Sequence, residues 1–369
     1  MTESPDGTHD GTHATQPVLQ PGAGPVRAAH YLPADPAAVF WGRLPCADDA
    51  PLLEVDPGSE VTVDTISHEG ILEDQGSDPV AFFAAHGVPV DAVLRDAIEL
   101  TATRRRDPAT DGPHVVTGPI AVRGARVGDL LAITVLETLP RVPYGVISNR
   151  HGRGALPGEM PRGESNVSIF SPVDADGGSA ALPRTAGAER DVHFPLAPFL
   201  GIMGVAAAGH ERPHSVPPGA YGGNIDIKLL TEGSTLYLPV QVEGALAYLG
   251  DPHFAQGDGE VALTALEASL RATVRFDVVP ASDPLAEFAR VHGPFVETAD
   301  YLVPTGLDQD LREAMKKAVR AAIALLHARY GMDAEHAYAY LSAASDFDVS
   351  QVVDLVCGVH ARIRKADFS

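Results

Sequence analysis

Strand-like patterns outnumber helical ones along this chain, and they are cut short by glycine and proline, which predicts a β-rich molecule built from many brief strands. Leu270 to Val279, LRATVRFDVV, alternates most clearly. Glu60 to Ile66, Ser234 to Val242 and Val261 to Ala268 read the same way, as does the short run Val39 to Trp41. His114–Val122 and Gly128–Leu136 flank the turn Arg123–Arg126, which predicts a hairpin with Asp129 as its turn acid. Ser350 to Val353 and Ala361 to Ile363 close the chain as strands.

Helical periodicity appears in three places. Pro79 to about Arg104 predicts one or two amphipathic helices around the Gly87-Val88-Pro89 break. Leu307 to Tyr330 carries the strongest stripe, with Leu311, Ala314, Met315, Ala318, Val319, Ala322, Ile323 and Leu326 on one side. Asp333 to Leu341 predicts a shorter helix. The sum is an α+β fold: an N-terminal β-sandwich or barrel-like part joined to a C-terminal mixed sheet with one long packed helix.

At 369 residues the chain exceeds one ordinary core, so two joined domains are expected. Residues 1–27 read as a flexible polar tail with His9 and His13 in a near-repeat, 28–185 as the N-terminal domain and 186–369 as the C-terminal one. The small polar stretch Asp174 to Arg190 marks the boundary. Residues 140–163, polar and glycine-rich, read as a lid with Tyr144 and His151 toward substrate.

Charge narrows the partners. Lys and Arg total 27 against 49 Asp and Glu, a formal net charge of −22, which disfavours nucleic acid and anionic membrane surfaces. A small neutral or cationic partner fits. Cys46 and Cys357 stand far apart without metal-type spacing, no run reaches the roughly 18 apolar residues of a membrane span, and the first residues lack a secretory pattern. A cytoplasmic protein is expected.

Candidate chemistry gathers between glycines from Gly201 to Glu267. Asp226 follows Gly222-Gly223-Asn224, and Asp251 is one residue from His253. In extended chain, positions i and i+2 project to one face about 6–7 Å apart, so both side chains can reach one ion. Carboxylate and imidazole suit zinc and other divalent first-row ions, and three protein ligands leave a place for water. The alternative is that these acids merely solvate turns, which accounts well for Asp258. Gln256, Asp258 and Glu260 follow closely, and Glu260 is the first choice of general base, with Glu267 and Glu69 as rivals. Ser67-His68-Glu69-Gly70 ends a predicted strand and is placed either to enter a site or to form a solvated turn.

Taken together, several runs resemble the acetamidase/formamidase family. They are Gly222 to Asp226, Glu232 to Val240, Glu243 to Leu246, Gly250-Asp251-Pro252-His253 and Gln256 to Glu260, supported by Asp64 to Gly70, Thr117 to Ile120, Gly201 to Val205 and Ser342 to Gln351. Where the family commonly has Leu or Ala before the histidine, this chain has Pro252. The resemblance implies a cytoplasmic homo-oligomer that hydrolyses short linear amides, formamide or acetamide, to the acid and ammonia. On that reading Asp226, Asp251 and His253 hold one divalent ion, zinc foremost, and Glu260 moves the proton. Asn224, Gln256 or His68 would hold the amide NH2 group, in a small pocket that rejects longer chains by sterics, with Met203 and Val205 either walling it or packing in the core. A hydrolase of a lactam or other cyclic amide, and a non-catalytic amide-binding protein, are the alternatives.

Overall fold

Leu270–Val279 alternates because one side of it faces a core. It pairs antiparallel with Ser59–Asp64 on one edge and with Leu130–Pro140 on the other. Those three strands lie inside a nine-stranded sheet whose order is His30–Leu32, Ser59–Asp64, Leu270–Val279, Leu130–Pro140, Thr235–Pro239, Phe295–Glu297, Tyr301–Asp308, Cys357–Arg364 and Asp346–Gln351. A second sheet runs Gly222–Asn224, Phe199–Val205, Ala247–Ala255, Leu266–Glu267, Tyr144–Asn149 and Val167–Pro172. Val115–Val122 joins it against Ala247–Ala255 and carries Phe40–Trp41 and Leu53–Val55. The structure, a computed structural model, describes residues 17–368.

The two sheets close on one core. Val61, Leu131, Ile133 and Leu236 from the first meet Ile120, Met203, Val205 and Leu249 from the second. The first sheet's other face is covered by helices Pro284–His292, Leu311–Tyr330 and Ala334–Ala344, through Phe288, Ala321, Leu325 and Leu341. Asp310 caps the long helix by accepting from the amides of Arg312 and Glu313, and Gly331 ends it at φ 66°. Its buried stripe is Ala314, Ala318, Ala321, Ala322, Leu325 and Leu326, and the expected members Leu311 and Met315 are exposed. The architecture is α+β and β-rich, as the sequence predicts.

Several expectations are corrected. Val115–Val122 and Leu130–Pro140 are not a hairpin, since each lies in a different sheet and the turn between them crosses from one layer to the other. Val115–Val122 is buried along its whole length, so it needs cover on both faces, and Gly118 lets the backbone at Ala247 and Tyr248 approach it closely. Both sheets take strands from either side of residue 185, so the expected boundary separates no sheet from another. The stretch Asp174 to Arg190 is not a linker, because Ser179–Pro183 and Arg190–Pro195 form their own hairpin.

Residues 140–149 are mostly strand, which leaves 150–163 as the loop. The expected tail 1–27 divides: residues 1–16, with His9 and His13, lie outside the described residues, and 17–27 pack on the body. Leu19 is buried and its amide donates to the Arg141 carbonyl. Arg271, itself buried, donates to the carbonyls of Ala23 and Pro25 at 2.7 and 3.0 Å while its Nε holds Asp64 at 2.6 Å.

Candidate active site

Strand pairing builds the site around one glycine. Phe199–Val205 runs antiparallel to Ala247–Ala255 with Leu200 opposite Pro252 and Ile202 opposite Gly250, which sets Gly201 against Asp251. Gly222–Asn224 pairs along the other edge of Phe199–Val205, and Asp226 follows it. A methyl group on Gly201 would fall within 2.7 Å of Asp226, Asp251 and His253 together. The three expected ligands therefore converge over a residue that has no side chain.

Backbone conformation marks the same acids. Asp226, Asp251 and Glu260 all have left-handed φ, at 47°, 49° and 47°. Non-glycine residues adopt this region at a cost on the order of 1–3 kcal/mol, although aspartate bears it better than most. Three such acids in one cluster make the strain a property of the site.

Gln256 decides how His253 presents itself. The Gln256 amide Nε2 donates to the carbonyls of Asp226 and Ser350, at 2.9 and 3.2 Å, so its Oε1 is left to accept from His253 Nδ1 at 3.0 Å. His253 Nε2 then faces Asp251 Oδ2 and Glu267 Oε1, each 3.1 Å away. A lone pair aimed at two carboxylate oxygens is repulsive, and a positive charge, a proton or a cation, relieves it. His68 Nδ1 lies 3.5 Å from Asp251 Oδ1, and His114 Nε2 approaches the same oxygen at 3.8 Å, while His114 Nδ1 bonds Ser215 Oγ at 3.0 Å.

His68, His114, Asn224, Asp251, Glu260, Glu267 and Asp354 open onto a cavity of about 840 Å³. That volume is in the range of sites for drug-sized ligands. His151, from the loop after Asn149, also lines it. Tyr144 does not: it is buried against Phe83 and Phe170 and donates to the Ala92 carbonyl, behind the cavity. Met203 is fully buried in the inter-sheet core, as is Val205: both lie further along the strand from Gly201, where the second sheet packs on the first. Gln256 holds His253 and two carbonyls and has no amide group left for a ligand.

Electrostatics separate the carboxyls into two kinds. Burial raises Asp226, Glu260, Glu267 and Asp354, and neighbouring acids push Asp226, Glu260 and Asp354 further up. Burial acts on Asp251 too, but the charges of His114 and His253 outweigh it and hold that group well below the usual range. Glu69 resists burial through the charge of Arg150, 3.0 Å away, with help from His68 and Ser148, and stays at about 2. So low a value leaves Glu69 a poor base, and its Oε1, 3.3 Å from His68 Nε2, orients that ring. Burial depresses His68, yet Glu267, Asp251 and Glu69 carry it to about 10, whereas burial brings His114 to about 3.

The donor set fits a cation. Six buried atoms here, His68 Nδ1, both Asp226 carboxylate oxygens, Asp251 Oδ1, His253 Nε2 and Glu267 Oε2, have no hydrogen-bond partner among the described residues. Donor atoms lie within 4.8 Å of one another in three overlapping sets: His68, His114 and Asp251; Asp226, His253 and Glu260; Asp251, His253 and Glu267. Nitrogen and oxygen ligands of this kind suit zinc-like divalent ions. Reading the sequence misses His114 and Asp354. His114 directly precedes one strand as His68 follows the end of another, and the register of Val116 opposite Gly250 brings His114 to Asp251, where its ring meets that of His68 edge-on. Asp354 comes from an irregular turn with no pattern to flag it.

The sequence model of the acetamidase/formamidase family matches residues 99–211 and 206–363. The chain belongs to this family. A formamidase of Methylophilus methylotrophus is 30% identical over 191 residues, 40% of this chain and 47% of that protein. An acetamidase of Mycolicibacterium smegmatis is 30% identical over 199 residues, 40% of this chain and 49% of that one. The chain thus spans about half the length of the curated relatives it matches. Among solved structures, acetamidases of Bacillus halodurans and Yersinia enterocolitica superpose with TM-scores of 0.70 and 0.71, both at 24% identity. They cover 92% and 94% of this chain and 98% and 94% of their own. These likenesses carry the fold. No helix among the described residues is long and apolar enough to cross a membrane.

Proposed function

We propose that this family member is an amidohydrolase that cleaves short aliphatic amides to the carboxylate and ammonia. The observation that carries this reading is the clustering of His68, His114, His253 and the acids Asp226, Asp251, Glu260 and Glu267, of which His68, His114, Asp251, Glu260 and Glu267 line one cavity. Relatives named formamidase and acetamidase support the amide as substrate class.

Asp251, His253 and Asp226 would hold a divalent ion, zinc foremost, with His68 and His114 completing its cavity side. When bound, such an ion polarises a carbonyl and makes water more acidic. Glu260, which lines the cavity and whose affinity for protons is raised, takes the proton of the attacking water and delivers it to the departing nitrogen. Asn224 Oδ1, buried and without a partner, accepts from the substrate NH2 group. The reading extends to a cytoplasmic homo-oligomer.

Ammonia release from formamide, acetamide, propionamide and urea, paired with elemental analysis of the purified protein, tests it. Ammonia from the linear amides and about one zinc per chain are expected. Metal-replete protein that releases ammonia from none of them would overturn the reading. His253→Ala should abolish turnover and lower metal content together; full activity with unchanged metal would remove this histidine from the mechanism.

A further inference from the structure

Arg150 leaves the strand Tyr144–Asn149 and reaches across to two acids on another segment. Its Nη2 donates to Glu69 Oε1 at 3.0 Å and its Nε to Asp74 Oδ2 at 2.6 Å. Asn166, which precedes the paired strand Val167–Pro172, donates through Nδ2 to the same Asp74 oxygen at 3.1 Å and accepts from the His151 amide at 3.1 Å. Both ends of the segment between these strands are thereby fastened beside the cavity that Arg150 and Asn166 line. The Arg150 side chain is only 12% exposed, so its bonds are shielded from water and salt.

Glu69 has no freedom left. Its Oε1 faces Arg150 and His68 Nε2, at 3.0 and 3.3 Å, and its Oε2 accepts from Ser148 Oγ at 2.5 Å and from the Gln75 amide Nε2. Gln75 is itself set by the Gly70 amide, which donates to its Oε1 at 2.7 Å, and Ser148 is met by Ser168 Oγ at 2.8 Å. Among the described residues Arg150 is the one guanidinium or ammonium paired with Glu69. Without it the buried carboxylate must turn or draw in another positive group, and either move releases the neighbouring imidazole.

His68 carries this to the reacting end. With Nε2 on Glu69, its Nδ1 lies 3.5 Å from Asp251 Oδ1, buried and without a hydrogen-bond partner among the described residues. A histidine whose outer nitrogen is held by a carboxylate presents its inner nitrogen in a fixed direction, the arrangement that orients metal-binding imidazoles. We propose that Arg150 is a positioning residue of the amidase site: it clamps Glu69, and Glu69 keeps the His68 ring turned with Nδ1 toward Asp251. This rests on the amidase reading.

The test is a double-mutant cycle of Arg150→Gln and Glu69→Gln, joined by Arg150→Lys and followed by two readouts. In metal-free protein isotope-labelled at histidine, the His68 Nε2 proton, assigned by its absence from His68→Asn, should give a slowly exchanging magnetic resonance signal. The wild type and Arg150→Lys should show it and Arg150→Gln should not. In acetamide hydrolysis by the metal-replete enzyme, Arg150→Gln should lower kcat about 10- to 100-fold with KM within about threefold of wild type, and Arg150→Lys should recover most of the loss. In the Glu69→Gln background the same Arg150→Gln change should cost less than about threefold, because its route of action is gone. A His68 signal retained in Arg150→Gln, or a kcat loss as large without the Glu69 carboxylate as with it, would overturn the inference and leave the amidase reading intact. Should Arg150→Gln alone not fold, the comparison runs between Glu69→Gln and the double variant, in which Glu69 carries no charge, beside Arg150→Lys; a further tenfold loss in the double variant overturns it. Ammonia from no amide in the wild type would take the amidase reading down and this assignment with it, whatever the signal shows.

Discussion

Gln256 shows how one amide side chain governs a neighbour it never replaces. Its NH2 is committed to two carbonyls, so its oxygen fixes the Nδ1–H form of His253 and turns Nε2 inward. Gln256→Leu keeps the bulk and removes the acceptor. Amide hydrolysis should then fall about 10- to 100-fold and bound metal should drop, as happens when residues that orient metal-binding histidines are lost. Wild-type kcat/KM and wild-type metal content in the same preparation would sink that role. Before the fold is seen, Gln256 reads as a substrate-binding residue, because sequence gives its neighbourhood but not which atoms are already engaged. Tyr144 misleads for the same reason: a strand residue's face is set by the register of its partners. Asp226, Asp251 and His253 are legible because small residues and an i, i+2 spacing are local properties.

At the level of elements, the pairing of Phe199–Val205 with Ala247–Ala255 places the site more than any single residue does. Gly201→Ala tests it. The added methyl meets side chains within 2.7 Å, so Asp226, Asp251 and His253 must part, while the buried strands around them can absorb a shift. Overpacking of this kind costs about 1–3 kcal/mol, which a molecule of this size survives. Folded protein by circular dichroism with activity down at least a hundredfold is expected. Activity within threefold of wild type would mean that the convergence over Gly201 is unimportant. The same element level explains the false hairpin: Val115–Val122 and Leu130–Pro140 have the pattern of neighbours, but each pairs with strands of a different layer.

For the molecule as a whole, interleaved sheets replace the two expected domains. The single tryptophan, Trp41, sits in the second sheet, so its fluorescence reports on that layer, whereas far-ultraviolet circular dichroism reports on both. Urea unfolding followed by the two signals should coincide in one transition. Two separated midpoints would restore independent halves. The buried pair of Arg271 with Asp64, which ties residues 17–27 to the first sheet, should be costly to break from one side. Arg271→Met leaves Asp64 buried without that partner and should lose about 3–5 kcal/mol, read from the urea midpoint. A loss under 1 kcal/mol would mean that Tyr31 and Arg141 suffice to hold the carboxylate.

The left-handed twist at Asp226, Asp251 and Glu260 has an evolutionary side. At each of these positions glycine, and to a lesser degree asparagine, would relax the chain. A library selected for heat resistance alone would drift toward those replacements, and would discard the clustered acids on its way to a tougher protein.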